Sequence, residues 1–285
     1  MDIEQILQNM TLEEKIALCS GADFWHTKEM KQHEILSIMM SDGPHGLRKQ
    51  PETADMLGIN EAVAATSFPT AVLSACSWDK ELLKREGEAI AREAIANKVS
   101  VVLGPGANIK RNPLCGRNFE YFSEDPYISG MMAAAIVNAI QSVGIGACIK
   151  HFACNNKEDN RYHSDSIVSE RALREIYLKG FEIAIEESNP WSIMTSYNKI
   201  NGKYSPENEE LVNGILREEW GYDGVAIADW GSLAEPYREI LAGNNVHMPV
   251  SNCLHLCIAL EKGLITKEQL RKNAKYVLNF ILKLK

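Results

Sequence analysis

Two rhythms of apolar and polar positions alternate along this chain. Short, nearly continuous apolar runs occur at 35–44 (ILSIMMSDGP), 99–106 (VSVVLGPG), 146–152 (GACIKHF), 191–198 (WSIMTSYN), 224–231 (GVAIADWG) and 244–250 (NNVHMPV). Between them lie longer stretches whose apolar residues recur at helical spacing. Residues 78–98 (WDKELLKREGEAIAREAIANK) predict a long amphipathic helix, and further helices are expected near 126–142, over 169–187, over 207–221 and from about Leu233. Thr11 with Glu14, and Thr266 with Gln269, have the spacing of capping boxes, in which a hydroxyl and a carboxylate or amide satisfy free N–H groups at a helix start.

Strands that are apolar on both faces and separated by helices imply a parallel sheet covered by helices. About seven or eight such units fit within 285 residues without a long polar linker. The expectation is therefore a single α/β domain over 1–285, a TIM-like (β/α)8 barrel with its first strands open to irregularity. A doubly wound nucleotide-binding sheet is disfavoured, because GPGANIKRNPLCG (104–116) lacks both the G-x-G-x-x-G order and a following helix start.

Composition narrows the partners. A net charge of −8 and the absence of a Lys/Arg-rich tract argue against nucleic acid or an anionic membrane. No apolar run reaches the roughly 18 residues needed to span a bilayer. The N-terminus, MDIEQILQNMTLEEK, does not read as a secretory signal. Seven scattered cysteines form no C-x-x-C pair, and Cys253 with Cys257 reads as two free thiols rather than a metal site. A reducing cytoplasmic location is the expectation.

In a parallel barrel, chemistry collects where strands end. The polar residues at the ends of the apolar runs are Asp42, the loop carrying Arg117 and Glu120, Lys150 with His151, Tyr197 with Asn198, and Asp229 with Trp230. A charge at the exit of a buried strand is costly unless it is used. Carboxylates, cations and aromatic rings together suit a sugar, which presents a collar of hydroxyls around an apolar face, and a pair of acids can cleave a glycosidic bond. Each residue also has a plainer reading. Asp42 precedes Gly-Pro and could serve a turn, Lys150 could form a Schiff base, and Trp230 could be core.

SDGPHGLR (41–48), LGPGANIKRNPLCGRNFEYFSEDP (103–126), KHFACNNKEDNR (150–161), SERALREIYLKGFE (169–182), SIMTSYNKING (192–202) and AIADWGS (226–232) resemble glycoside hydrolase family 3 in order and content. The resemblance covers residues 10–285. It implies a retaining exo-glycosidase acting on terminal β-D-glucosyl or related residues, with no metal or organic cofactor. Asp229 would be the nucleophile. Asp42, Arg117, Lys150, His151, Arg161, Tyr197 and Trp230 would hold the sugar, and Glu120 would orient Arg117 or Lys150. The family's larger branch takes its acid/base glutamate from a second domain that has no counterpart here. A second domain, chain or protomer would then complete the site, with His163 and Asp165 as candidates for a substitute acid. Ala228 replaces the usual Ser or Thr, and Asn245 replaces an acid. A barrel that binds sugar with little turnover is the alternative reading.

Overall fold

The computed structural model describes residues 2–50, 54–55, 59–249 and 253–284. Five apolar runs form one parallel sheet from β1 (Met40–Asp42), β2 (Val101–Leu103), β3 (Gly146–Phe152), β5 (Ser192–Thr195) and β8 (Val225–Ala228), adjacent in that order. Val102, Ile149, Ile193 and Ile227 are wholly buried, and each such side chain contributes about 2 kcal/mol by leaving water. Three two-residue strands, β4 (Asp165–Ser166), β6 (Lys199–Ile200) and β7 (Lys203–Tyr204), form a second small sheet. It ties the loop after β3 to the loop after β5.

Helices α1 (Ile3–Asn9) and α2 (Leu12–Leu18) open the chain, and α2 carries the expected capping box. Then come α3 (Ala71–Ala75), α4 (Lys80–Ala96), α5 (Pro126–Ser142), α6 (Glu170–Ala172), α7 (Lys179–Ser188), α8 (Pro236–Ala242), α9 (Cys253–Glu261) and α10 (Lys267–Lys283). Asp79 caps α4 by accepting the Glu81 and Leu82 N–H groups at 2.9 and 3.1 Å. Asp125 caps α5 in the same way, with Pro126 at the first helical position. Residues 173–177 and 210–219 take π-helical turns, so two of the expected α-helices are interrupted or replaced.

The sheet is TIM-barrel-like, but no closed ring of regular strands forms among the described residues. From β8 back to β1 the circuit continues as single bridges. The Ala228 N–H donates to the Val246 carbonyl at 2.8 Å, that of His247 to Cys19 at 3.0 Å, and that of Met40 to Trp25 at 2.9 Å. The run at 244–250 thus supplies bridges rather than a strand, and its last residue, Val250, lies outside the described residues. The run at 35–44 shortens to Met40–Asp42 because Ile35 and Met39 bridge antiparallel to Met30 and His26.

Candidate active site

Asp229 follows β8 directly, and its backbone N–H still reaches the Thr195 carbonyl at 3.2 Å. Its Oδ1 accepts the Trp230 N–H at 2.8 Å. The residue is only 8% exposed. Burial pushes its pKa above the usual aspartate value, while the Arg117 and Lys150 charges and the Trp230 N–H pull it back. Tyr197 donates to the Trp230 carbonyl at 2.7 Å. Its own pKa is raised by burial and by the Asp229 charge, so it stays protonated.

β3 contributes two adjacent side chains to the same place. In a regular strand consecutive side chains face opposite ways, but the register of β3 against β5 shifts between Lys150 and Phe152. Lys150 and His151 therefore both line the cavity. Lys150 Nζ donates to Asp42 Oδ1 at 2.8 Å. Burial alone would lower the Lys150 pKa, but the Asp42 and Glu120 charges raise it. Asp42 is in turn held well below the usual carboxylate range, against the push of burial, by Lys150 and then Arg48, whose Nη2 lies 3.2 Å away. The turn beyond it is built from Gly43 and Gly46, at φ of 133° and 134°. A Cβ on either would strike backbone carbonyls, of Gly46 and Thr66 respectively.

His151 is neutral. Its Nε2 accepts from Arg117 Nη2 at 2.6 Å, which leaves the proton on Nδ1, facing the Tyr121 hydroxyl at 3.1 Å. Burial, with the Arg117, Lys150 and Arg161 charges, drives its pKa well below the ordinary histidine value. The 3.8 Å approach of His151 Nε2 to Asp229 is thus a contact with an uncharged ring, not an ion pair. Arg117 is fixed by Glu120, which is buried and paired with its Nε. Arg161 lies over the Tyr197 ring at 4.6 Å, a favourable cation–π arrangement.

These side chains surround a cavity of about 100 Å³. Of the residues singled out in the sequence, Asp42, Arg117, Lys150, His151, Arg161, Tyr197, Asp229 and Trp230 all line it. Glu120 stands behind Arg117. His163 and Asp165 do not reach the cavity: both are exposed, and Asp165 Oδ1 accepts the Gly202 N–H at 3.1 Å in the small sheet. Phe24, Trp25, Arg48 and Asp55 also line the cavity and were not picked out. Arg48 could have been found, since it lies six residues beyond Asp42 in the same motif. Phe24 and Trp25 sit in an irregular segment without periodicity. Trp230 Nε1 donates to the Phe24 carbonyl at 2.7 Å, and the two indoles pack at 5.7 Å.

The arrangement offers one buried carboxylate among fixed cations, a row of hydrogen-bonding groups and an aromatic wall. Residues 25–280 match the glycosyl hydrolase family 3 N terminal domain. The chain is 50% identical over 284 residues to thermostable beta-glucosidase B of Acetivibrio thermocellus, covering 99% of this chain and 38% of that protein. It is 46% identical over 279 residues to an exo-alpha-(1->6)-L-arabinopyranosidase of Bifidobacterium longum, covering 97% and 37%. The fold superposes on the crystal structure of a beta-glucosidase from Kluyveromyces marxianus with a TM-score of 0.95 at 39% identity, covering 100% of this chain and 35% of that one. It also superposes on beta-glucosidase 3B from Thermotoga neapolitana in complex with glucose, with a TM-score of 0.93 at 40% identity, covering 99% and 42%. The chain thus spans well under half the length of these relatives.

Proposed function

Since the chain belongs to glycosyl hydrolase family 3, we propose that it is the sugar-cleaving barrel of a retaining exo-glycosidase with Asp229 as nucleophile. The observation that carries this reading is the buried Asp229 carboxylate, set at a strand end in a small cavity facing Arg117 and Lys150. In the first step Asp229 bonds to the anomeric carbon as the bond to the leaving oxygen breaks, giving a glycosyl-enzyme that water then hydrolyses. The anionic Asp42, with Arg117 and Lys150, would orient sugar hydroxyls through charge-assisted hydrogen bonds. The Trp25 and Trp230 rings would meet the apolar face of the sugar.

The leaving oxygen needs a proton, and the cavity's own groups are committed elsewhere. Lys150 is paired with Asp42, His151 carries its proton toward Tyr121, and Glu120 is paired with Arg117. Asp55 accepts from Gln50 Nε2 at 2.7 Å and from the Asn60 N–H at 2.8 Å. We assign the acid to a group outside this chain's described residues, in a second domain, chain or protomer. Terminal β-glucosides are the first substrates to test. The arabinopyranosidase relative makes a terminal pentose the second.

The test uses 2,4-dinitrophenyl 2-deoxy-2-fluoro-β-glucoside, whose leaving group needs no proton. Intact mass should show one added sugar, and peptide mapping should place it on Asp229. An adduct on another residue would overturn the assignment. Sugar binding without any adduct would favour a barrel that binds sugar with little turnover.

A further inference from the structure

Arg217 stands at the start of β8, the opposite end of that strand from Asp229, and the proposed reaction does not use it. A guanidinium has five N–H groups. Four of them donate to neutral oxygens. Nη1 reaches the Tyr222 and Gly224 carbonyls at 3.1 and 2.6 Å, and Nη2 reaches the Gly243 carbonyl at 3.2 Å and Asn245 Oδ1 at 2.7 Å. The fifth, on Nε, is buried and has no acceptor among the described residues. The guanidinium carbon lies 4.1 Å from the centre of the Tyr276 ring. Among the described residues no carboxylate forms an ion pair with Arg217, and Asp223, which acts on it from farther off, lies 3.9 Å from Lys283 instead. Burial accordingly pulls the Arg217 pKa below its ordinary value. A buried charge met only by dipoles and rings is costly, and an orphaned N–H adds to that cost.

There is room for the counter-charge that Arg217 lacks. The side chain borders a cavity of about 190 Å³ between residues 210–219, α8 and α10. This cavity shares no residue with the one around Asp229. Glu209 and Lys272 also line it, but both are exposed and their charges oppose each other, which leaves Arg217 as the uncompensated charge of the wall. A planar guanidinium is matched best by an oxyanion, whose oxygens accept from its fork of donors.

We propose that this cavity is an anion site, in which a small oxyanion, a phosphate or a carboxylate, serves as the counter-charge of Arg217. The site is independent of the glycosidase reading above. Asn245→Asp tests it by placing a carboxylate where Asn245 Oδ1 already meets Arg217, with almost no change of shape. Lys272→Glu tests it from an exposed position without touching the core. Thermal unfolding is followed in about 50 mM sodium phosphate or sodium acetate, each against sodium chloride of equal ionic strength. An anion present at about ten times its dissociation constant should raise the midpoint of the unaltered protein by about 2–3 °C. A rise with phosphate alone identifies a phosphate site, and a rise with acetate identifies a carboxylate site. Phosphate also strengthens apolar burial in general, so the difference between the proteins is what decides. Asn245→Asp and Lys272→Glu should each lose most of the rise. An equal rise in all three proteins, as binding elsewhere on the surface or around Asp229 would give, overturns the site. So does the absence of a rise in the unaltered protein with either anion. If Asn245→Asp fails to fold, Lys272→Glu decides alone, and an undiminished rise in that variant overturns the site.

Discussion

The two halves of the barrel wall do different work. From β1 to β8 the wall is a continuous parallel sheet with one register shift in β3, and it places Asp42, Lys150, His151 and Asp229 near its strand ends. From residue 246 round to residue 39 the wall is a chain of single bridges, and it contributes Phe24 and Trp25. Charges that must meet one reacting atom need fixed backbone, because a misplaced buried charge is costly and a misplaced nucleophile is slow. An aromatic wall tolerates looser support, since apolar contact is non-directional. The contrast is one between positional accuracy and mere coverage.

The largest test of that contrast is Asp229→Ala. It should abolish glycosyl-enzyme formation, lowering the trapping rate by about 10⁴-fold or more, with circular dichroism showing the fold retained. Near-normal trapping by this variant would remove the sheet half from the chemistry.

Lys150→Met comes next. It leaves Asp42 with Arg48 as its remaining direct ion-pair partner, and the Asp42 side chain is 32% exposed. The cost should be about 3 kcal/mol in urea unfolding, the low end for breaking a buried pair. Asp42→Asn in the Lys150→Met background should recover part of it. A loss under about 1 kcal/mol would mean that the pair is solvated as a surface bridge is.

The pH profile sharpens the assignment. Because burial raises the Asp229 pKa, the fold holds that proton to higher pH than the unfolded chain does. This favours folding below the unfolded pKa and is lost as pH rises through the folded value, so Asp229→Asn should be the more stable protein at pH 7. Trapping needs the carboxylate, so its acid limb should lie above the ordinary aspartate value of about 3.9. Asp42, held low by Lys150 and Arg48, remains ionised across that limb.

Trp25→Phe probes the bridged half and should have the smallest effect. Sugar affinity should fall a few-fold, consistent with losing about 1 kcal/mol of ring contact. Stability should barely change, because the Trp25 indole N–H is buried without a hydrogen-bond partner among the described residues, and phenylalanine removes it. A stability loss comparable to that of Lys150→Met would erase the distinction between the halves.

The same division governs how much could be read from sequence. Gly146–Phe152 and Pro126–Ser142 coincide with their expected bounds, since each is a long run with clear punctuation at its ends. The strand-end charges Asp42, Lys150 and Asp229 all line the cavity, because an apolar run that stops at a charge marks both the strand and its exit. The bridged half left a weaker trace, an apolar run at 244–250 that supplies only single bridges. Phe24 and Trp25 lie where neither period applies, and Met40–Asp42 lost its expected early residues to antiparallel bridges with the segment carrying those aromatics. The π turns at 173–177 and 210–219 were invisible for another reason. Over two or three turns, apolar spacing does not separate 3.6 residues per turn from a wider helix. His163 and Asp165 share the loop after KHF with Arg161, but pairing of β4 with β6 leaves both exposed.

The register shift in β3 bears on reuse of the pocket. Lys150 and His151 are sequence neighbours that both line one cavity, which an evenly pleated strand forbids. Copying the cavity's side chains onto an idealised parallel barrel would turn one of the two into the helical layer, stranding either the cation that pairs with Asp42 or the imidazole that receives Arg117. A faithful graft must therefore carry the irregularity itself, as a piece of backbone, along with the residues that surround it.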